Sequence, residues 1–228
     1  MPWSAWAVHL LTASGALLGF LMIAATSAGD YRRAFLWMAV ATAIDSADGA
    51  LARALRVKER LPFFNGGRLD DIVDYLTFVF APAYLVYQAR LTPDTLALAV
   101  VSAMLLSSAY GFSQEAAKTS DHYFTGFPSY WNIMVFYLVV LGAPPAVNAA
   151  VLIGLALLVF VPIAYVYPSR TPTLRVPTLA LGLTWALLVL VMIWQFPSVS
   201  RSVLYLSLVF PAYYLILSLV LNVRRRRA

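Results

Sequence analysis

At 228 residues, 62% of them hydrophobic and only 11% charged, the chain carries more apolar surface than an interior of its size can hide. A water-soluble enzyme, a secreted disulfide scaffold and a disordered protein are excluded, and the chain belongs in a bilayer. Cysteine is absent, which removes thiolate catalysis and thiolate metal sites. Four of the six net positive charges are the run Arg224 to Arg227. A basic run directly after an apolar stretch reads as an anchor to anionic membrane lipid. Nucleic acid is not an expected partner.

A helix needs about 20 mainly apolar residues to cross about 30 Å of hydrocarbon. Eight stretches are read as spans: 6–28, 34–55, 69–89, 94–114, 129–143, 146–167, 178–196 and 202–222. Polar, Pro or Gly clusters separate them, among them Asp30-Tyr-Arg-Arg, Lys58 to Gly67, Lys118 to Pro128 and Pro168 to Pro177. The fifth stretch is short, and Pro144-Pro145 reads as a loop, with a kinked joint and seven spans as the alternative. The first stretch has no Lys or Arg before its apolar run, so it is read as a retained span and not a signal peptide. The fold class is all-α: one transmembrane domain over 1–228, a polytopic integral membrane protein with about eight transmembrane helices.

Orientation follows from the basic residues, which concentrate in cytoplasmic loops. With eight spans, one face collects Arg53, Arg56, Lys58, Arg60, Arg68, Lys118, Arg170, Arg175 and Arg224 to Arg227, twelve of the sixteen. The other face has Arg32, Arg33, Arg90 and Arg201. Both termini and the loop after the second span are therefore expected in the cytoplasm, with the pair Arg32-Arg33 against the trend.

Six of the ten acidic residues fall between positions 45 and 74. Asp45 and Asp48 end the second span three residues apart; Asp70 and Asp74 open the third, four apart. Residues at those spacings share a helix face, and a short connection makes the two helices antiparallel neighbours. Four carboxylates then converge just inside the membrane, where they repel one another and resist desolvation. One or two divalent cations on hard oxygen ligands would relieve that. A helix-capping role accounts for Asp70 and Asp71 in a first turn. It does not account for Asp45 and Asp48, which follow the apolar run Ala34 to Ile44.

The sequence Asp45-Ser-Ala-Asp48-Gly49-Ala-Leu-Ala52-Arg53, followed by Gly66-Gly-Arg-Leu-Asp70-Asp-Ile-Val-Asp74, resembles the signature of the CDP-alcohol phosphotransferases, D-x-x-D-G-x-x-A-R, a spacer, then G-x-x-x-D-x-x-x-D. The spacer Ala54 to Asn65 has twelve residues where most of the family has eight or nine, which is similar to the bacterial phosphatidylcholine synthases that join choline to CDP-diacylglycerol. Tyr123 to Asn132 and Tyr167-Pro-Ser-Arg170 also look like that branch. The resemblance implies metal ligation by Asp45, Asp48, Asp70 and Asp74, with two Mn²⁺ or Mg²⁺ ions. It implies Asp74 as the base that takes the choline hydroxyl proton. It further implies CDP-diacylglycerol contacts from Asp48, Gly49, Ala52, Arg53, Gly66 and Thr12. For Gly49 and Ala52, ordinary packing of small residues in membrane helices is the competing reading. For Thr12 and Ser14, it is a hydroxyl bonded to its own helix.

A quaternary ammonium is held best by aromatic faces, with a carboxylate near by. Candidates are Tyr123, Tyr130, Trp131 and Tyr165, with Glu115 or Asp121 as the anion, although interfacial aromatic belts explain most such residues. His9 and His122 are read as entry and interfacial residues. Serine, glycerol phosphate or an inositol phosphate are alternative acceptors, the phosphorylated ones served by Arg170 and Arg175. The prenyl-transferase motif D-D-x-x-D at Asp70 to Asp74 lacks a second acidic cluster downstream. A cation transporter or channel would be expected to show internal repeats, which the chain lacks. Membrane lipids and a second copy in a homodimer are the expected partners, and a bacterial inner membrane the expected location.

The chain has no cysteine of its own, so single cysteines at Glu59 and Ser198 can be labelled with an impermeant thiol reagent. Labelling from opposite faces is expected; labelling from one face would refute the eight-span topology.

Overall fold

In the computed structural model, residues 3–117, 119 and 121–227 are described. Lys118, counted above on the more basic face, lies outside the described residues, as do the side chains of Arg226 and Arg227. Helix α1 (Trp3–Ser27) and helix α2 (Tyr31–Ala54) form an antiparallel hairpin. Asp30 caps α2 by accepting a hydrogen bond from the Arg33 N–H at 3.0 Å. At 25 and 24 residues, both helices exceed the length a bilayer requires.

After the short helix α3 (Val57–Arg60), the chain runs through one helical stretch in three registers. These are α4 (Gly66–Asp74), a π-helical segment (Tyr75–Phe80) and α5 (Ala81–Gln88). Pro82 accounts for the wide turn. It offers no N–H to the Phe78 carbonyl and its ring crowds that carbonyl, so the preceding turn expands. The Ala81 N–H accordingly bonds Leu76, five residues back.

The remaining helices are α6 (Ala97–Ser113), α7 (Trp131–Leu141), α8 (Pro145–Leu158), α9 (Arg175–Gln195), α10 (Arg201–Ser207) and α11 (Val209–Arg227). A break at Gly142 to Pro144 separates α7 from α8, so Pro144-Pro145 marks a loop. Each of the eight predicted stretches is helical over most of its length. Among the described residues, five helices are long and apolar enough to cross a membrane unaided, while α7 and α8 are shorter apolar helices. The protein is an all-α polytopic membrane protein.

The sixth predicted span needs correction. Its helix stops at Leu158, and the chain continues into strand β2 (Ala164–Val166), which pairs antiparallel with β1 (Tyr123–Thr125). Pro162 cannot continue a helix, and the apolar residues around it had made the run look uniform. The outer edge of β2 is not left bare. Ala164 N–H donates to Asn222 Oδ1 at 3.0 Å and Val166 N–H to Ser218 Oγ at 3.1 Å, both on α11.

The core lies between α1, α2, α5, α6, α7 and α8, with Met22, Leu85, Met104, Trp131 and Leu152 fully buried. Leu10, Phe20, Leu98, Leu106 and Leu183 point outward, as lipid-facing residues must. Helices α1 and α4 meet where Gly15 lies against Val73, and a Cβ at Gly15 would overlap the Val73 Cγ1. Overpacking of this kind typically costs about 1–3 kcal/mol. Gly15→Ala should therefore lower the thermal unfolding midpoint in detergent micelles, and adding Val73→Ala should restore part of it. No recovery in the double variant would show that this contact does not set the helix spacing.

Candidate active site

The carboxylates reach one another because two helix ends and a short connection fix them. Asp45 and Asp48 ride the last turns of α2, and Asp70 and Asp74 ride α4, whose N-cap Asn65 accepts from the Arg68 N–H at 3.1 Å. One carboxylate oxygen from each of Asp45, Asp70 and Asp74 lies within 4.8 Å of the other two, and all three residues are half-buried. Asp48 is buried, and its Oδ2 accepts a hydrogen bond from Thr12 Oγ1 at 2.6 Å. These four acids line a cavity of about 10 Å³ together with Thr12, Gly15 and Thr77. That is room for one water-sized or ion-sized occupant. Three closely spaced hard oxygens at its wall are a donor set that fits a divalent cation. Asp71 does not line the cavity.

Thr12 turns out to orient an acid. Its oxygen is also 3.3 Å from the Val8 carbonyl, but the shorter contact is to Asp48. Ser14 bonds its own helix at the Leu11 carbonyl, 2.6 Å away. Arg53 is exposed, and a Cβ added at Gly49 would lie 3.3 Å from its Nη1. Ala52 packs beside Ala5, Val8, Val57 and Leu61, where the spacer docks on the start of α1. Arg60 Nη1 donates to Ser4 Oγ at 3.0 Å across the same seam. Gly66, at the first residue of α4, is covered by His9, whose Cε1 would sit 2.6 Å from an added Cβ. His9 is buried against Trp6 and Phe64, with ring centres 4.5 Å apart in the latter pair. Its burial depends on a spacer fifty residues further along the chain.

Of the aromatic candidates, the structure gathers Tyr130 and Tyr165 around Tyr214 of α11, at 6.3 and 6.5 Å between ring centres. Phe124 adjoins Tyr130 at 6.3 Å and stacks on Tyr167 at 4.5 Å. The Tyr130 hydroxyl lies within electrostatic reach of Asp45 and Asp74, which places the aromatic group in the neighbourhood of the acids. Trp131 is elsewhere. It has no exposed surface, and its indole N–H donates to Ser108 Oγ at 2.7 Å in the core. Tyr123 packs under the Arg225 guanidinium at 5.4 Å, and Glu115 is exposed on a 3₁₀ turn. Asp121 pairs with Arg225, 2.8 Å from its Nε and 2.9 Å from its Nη2. A hydrogen bond from Thr119, then the Arg225 charge, holds Asp121 below the usual carboxylate range. That pair is intact above the ordinary carboxylate pKa and is lost as pH falls through the depressed folded value. Arg170 lies over Tyr167 at 6.0 Å, and Arg175 opens α9. Sequence reasoning missed Tyr214, which lies 84 residues from Tyr130 in a Tyr-Tyr pair midway along the last apolar stretch.

No family model matches the chain. It is 42% identical over 168 residues to a phosphatidylcholine synthase of Legionella pneumophila, covering 73% of this chain and 66% of that protein. A phosphatidylcholine synthase of Pseudomonas aeruginosa is 36% identical over 210 residues, 92% of this chain and 88% of that protein. One of Borreliella burgdorferi is 34% identical over 226 residues, 97% of this chain and 96% of that protein.

The Thr12–Asp48 contact can be tested directly. Thr12→Val keeps the shape and removes the donor. Losing a partner that orients a ligating carboxylate typically costs about 10–100-fold in metal affinity. Mn²⁺ titration followed by calorimetry should show a weakening of that order, with Thr12→Ser close to wild type. Unchanged binding by Thr12→Val would leave the hydroxyl with a packing role only.

Proposed function

Because the chain belongs to the bacterial phosphatidylcholine synthase branch of the CDP-alcohol phosphotransferases, we propose that it transfers the phosphatidyl group of CDP-diacylglycerol to choline, giving phosphatidylcholine and CMP. The observation that carries this reading is the meeting of Asp45, Asp70 and Asp74 within 4.8 Å, beside a wall of tyrosines. Choline needs both: a charged centre to bring a phosphodiester and a hydroxyl together, and aromatic faces for a cation that cannot donate hydrogen bonds.

Asp45, Asp48, Asp70 and Asp74 would hold Mn²⁺ or Mg²⁺, two ions by family resemblance. Bound there, the metal supplies neutralisation of the pyrophosphate charge, the main demand of phosphoryl transfer. Thr12 fixes the Asp48 carboxylate through its 2.6 Å bond. Arg53 offers a permanently charged fork to the nucleotide pyrophosphate. Gly49 keeps the helix face beside Arg53 free of bulk, Gly66 admits the close approach of the His9 ring, and Ala52 sets the spacer's packing. Tyr130, Tyr165 and Tyr214 hold the trimethylammonium group. Asp74 takes the choline hydroxyl proton as the choline oxygen bonds to the diacylglycerol-bearing phosphorus. The bond from that phosphorus to the CMP oxygen breaks in the same displacement, and CMP leaves.

The basic asymmetry supports a bacterial inner membrane location with the carboxylates and both termini on the cytoplasmic side. The pattern of one bundle around one site supports a single domain, and family resemblance supports a homodimer.

The decisive assay supplies purified protein with CDP-diacylglycerol, Mn²⁺ and each of choline, serine and glycerol phosphate, and measures CMP release. Choline alone should support rapid turnover; equal turnover of serine or glycerol phosphate would overturn the acceptor. Excess EDTA and Asp45→Asn should each abolish activity. Asp74→Asn should lose about 10²–10⁴ in rate, the usual worth of a general base, even at saturating choline. Tyr214→Leu should instead raise the choline KM. A phosphatidyl-enzyme trapped without acceptor would overturn the single displacement.

A further inference from the structure

Two arginines at the far end of α2 take no part in the chemistry above and run against the chain's charge bias. Arg32 and Arg33 precede Asp48 by sixteen and fifteen residues on one continuous helix. That is about 22–24 Å of helical rise, most of a bilayer's apolar thickness, away from the carboxylates. Beside them, a cavity of about 590 Å³ opens between the start of α2 and the end of α9, lined by Asp30, Arg32, Arg33, Leu36, Leu190 and Trp194 among others. Binding sites for small organic molecules typically occupy about 300–1,000 Å³.

The polar end of this cavity is built for an anion. Asp30 is the one carboxylate there, and it is engaged by Arg33: Oδ1 accepts from the Arg33 N–H at 3.0 Å and Oδ2 faces Arg33 Nε at 3.2 Å. Two guanidiniums against one carboxylate leave a net positive charge. Arg33 keeps 74% of its side chain exposed. The Arg32 guanidinium lies over the Trp194 ring at 5.9 Å, and an aromatic face steadies a cation without using its N–H donors. The rest of the cavity is apolar: Trp194, Leu36 and Leu190 are 74%, 41% and 47% exposed. A soluble ion has no use for such walls, whereas a glycerol backbone with acyl chains does. The terminal tryptophan of a spanning helix marks headgroup depth.

We propose that this groove binds an anionic glycerophospholipid, its phosphodiester held by Arg32 and Arg33 and its first acyl methylenes laid on Leu36, Leu190 and Trp194. The excess positive charge selects a lipid with net negative charge over a zwitterionic one, so the site is distinct in chemistry as well as in place from the carboxylate cavity.

Native mass spectrometry of the full chain, released from micelles containing dioleoyl phosphatidylglycerol, reads the number of retained lipids. Wild type should keep one phosphatidylglycerol that Arg32→Gln/Arg33→Gln loses. At about 1 kcal/mol per basic residue near a lipid surface, the apparent affinity should fall roughly tenfold or more. Arg32→Lys/Arg33→Lys should retain most of the binding, and Trp194→Leu should weaken it with both charges intact. Neither dioleoyl phosphatidylcholine nor millimolar inorganic phosphate should displace the bound lipid. If the paired Gln variant does not fold, Arg32→Gln alone carries the same comparison. Equal retention by the Gln variants, equally tight phosphatidylcholine, or displacement by phosphate would each overturn the proposal.

Discussion

Carboxylates brought together at the edge of hydrocarbon repel one another, and water is too scarce there to screen them. Helices α2, α4 and α1 are arranged around holding them in spite of that repulsion. α2 contributes its acids from the end of a long apolar run, and α4, capped at its start by Asn65, contributes its own from its middle and its last residue. α1 then closes the back of the cavity, with Gly15 permitting the approach to α4 and Thr12 giving Asp48 a hydrogen-bond donor. Three carboxylate oxygens within 4.8 Å of one another could hold a metal ion, whose charge would offset the repulsion that destabilises the bare site.

Rigidity is spent unevenly around this centre. The backbone passes from α-helical to π-helical register immediately after Asp74 and returns at Ala81. Pro82 imposes the change, and its effect is to give Asp74 a different helical environment on each side. The long spacer between α2 and α4 is likewise not slack. It folds into α3, seats Val57 and Leu61 against Ala5 and Val8, and brings Phe64 and Gly66 around His9. An insertion relative to most of the family has become a brace between the first helix and the signature.

What could be read from the sequence was local. Spacings of three and four residues put Asp45 with Asp48 and Asp70 with Asp74 on helix faces, and a short connection made those faces meet. The helical stretches were legible for the same reason, because length and hydropathy are properties of a single segment. Long-range placement was not. Trp131 follows Tyr130 directly at a helix start, and nothing local says that one ring turns into the core while the other turns toward the acids. Tyr214 reaches Tyr130 and Tyr165 only through the fold. The strand at Ala164–Val166 was hidden in an apolar run because its pairing partner lies some forty residues earlier. His9 looked like an entry residue because the spacer that buries it is remote.

The seam between β2 and α11 also sets the acids apart from the tyrosine cluster in order of synthesis. All four acids have been synthesised once Asp74 emerges, on helices α2 and α4. Tyr214 is 140 residues later, on the helix whose Ser218 and Asn222 hold the edge of β2 in place. A nascent chain therefore carries its acids long before it carries the last ring of the tyrosine cluster. Until α11 is made, β2 lacks the Asn222 and Ser218 side chains that accept from its outer edge. Completion of α11 is, by this geometry, also the step that closes the tyrosine cluster and fastens β2.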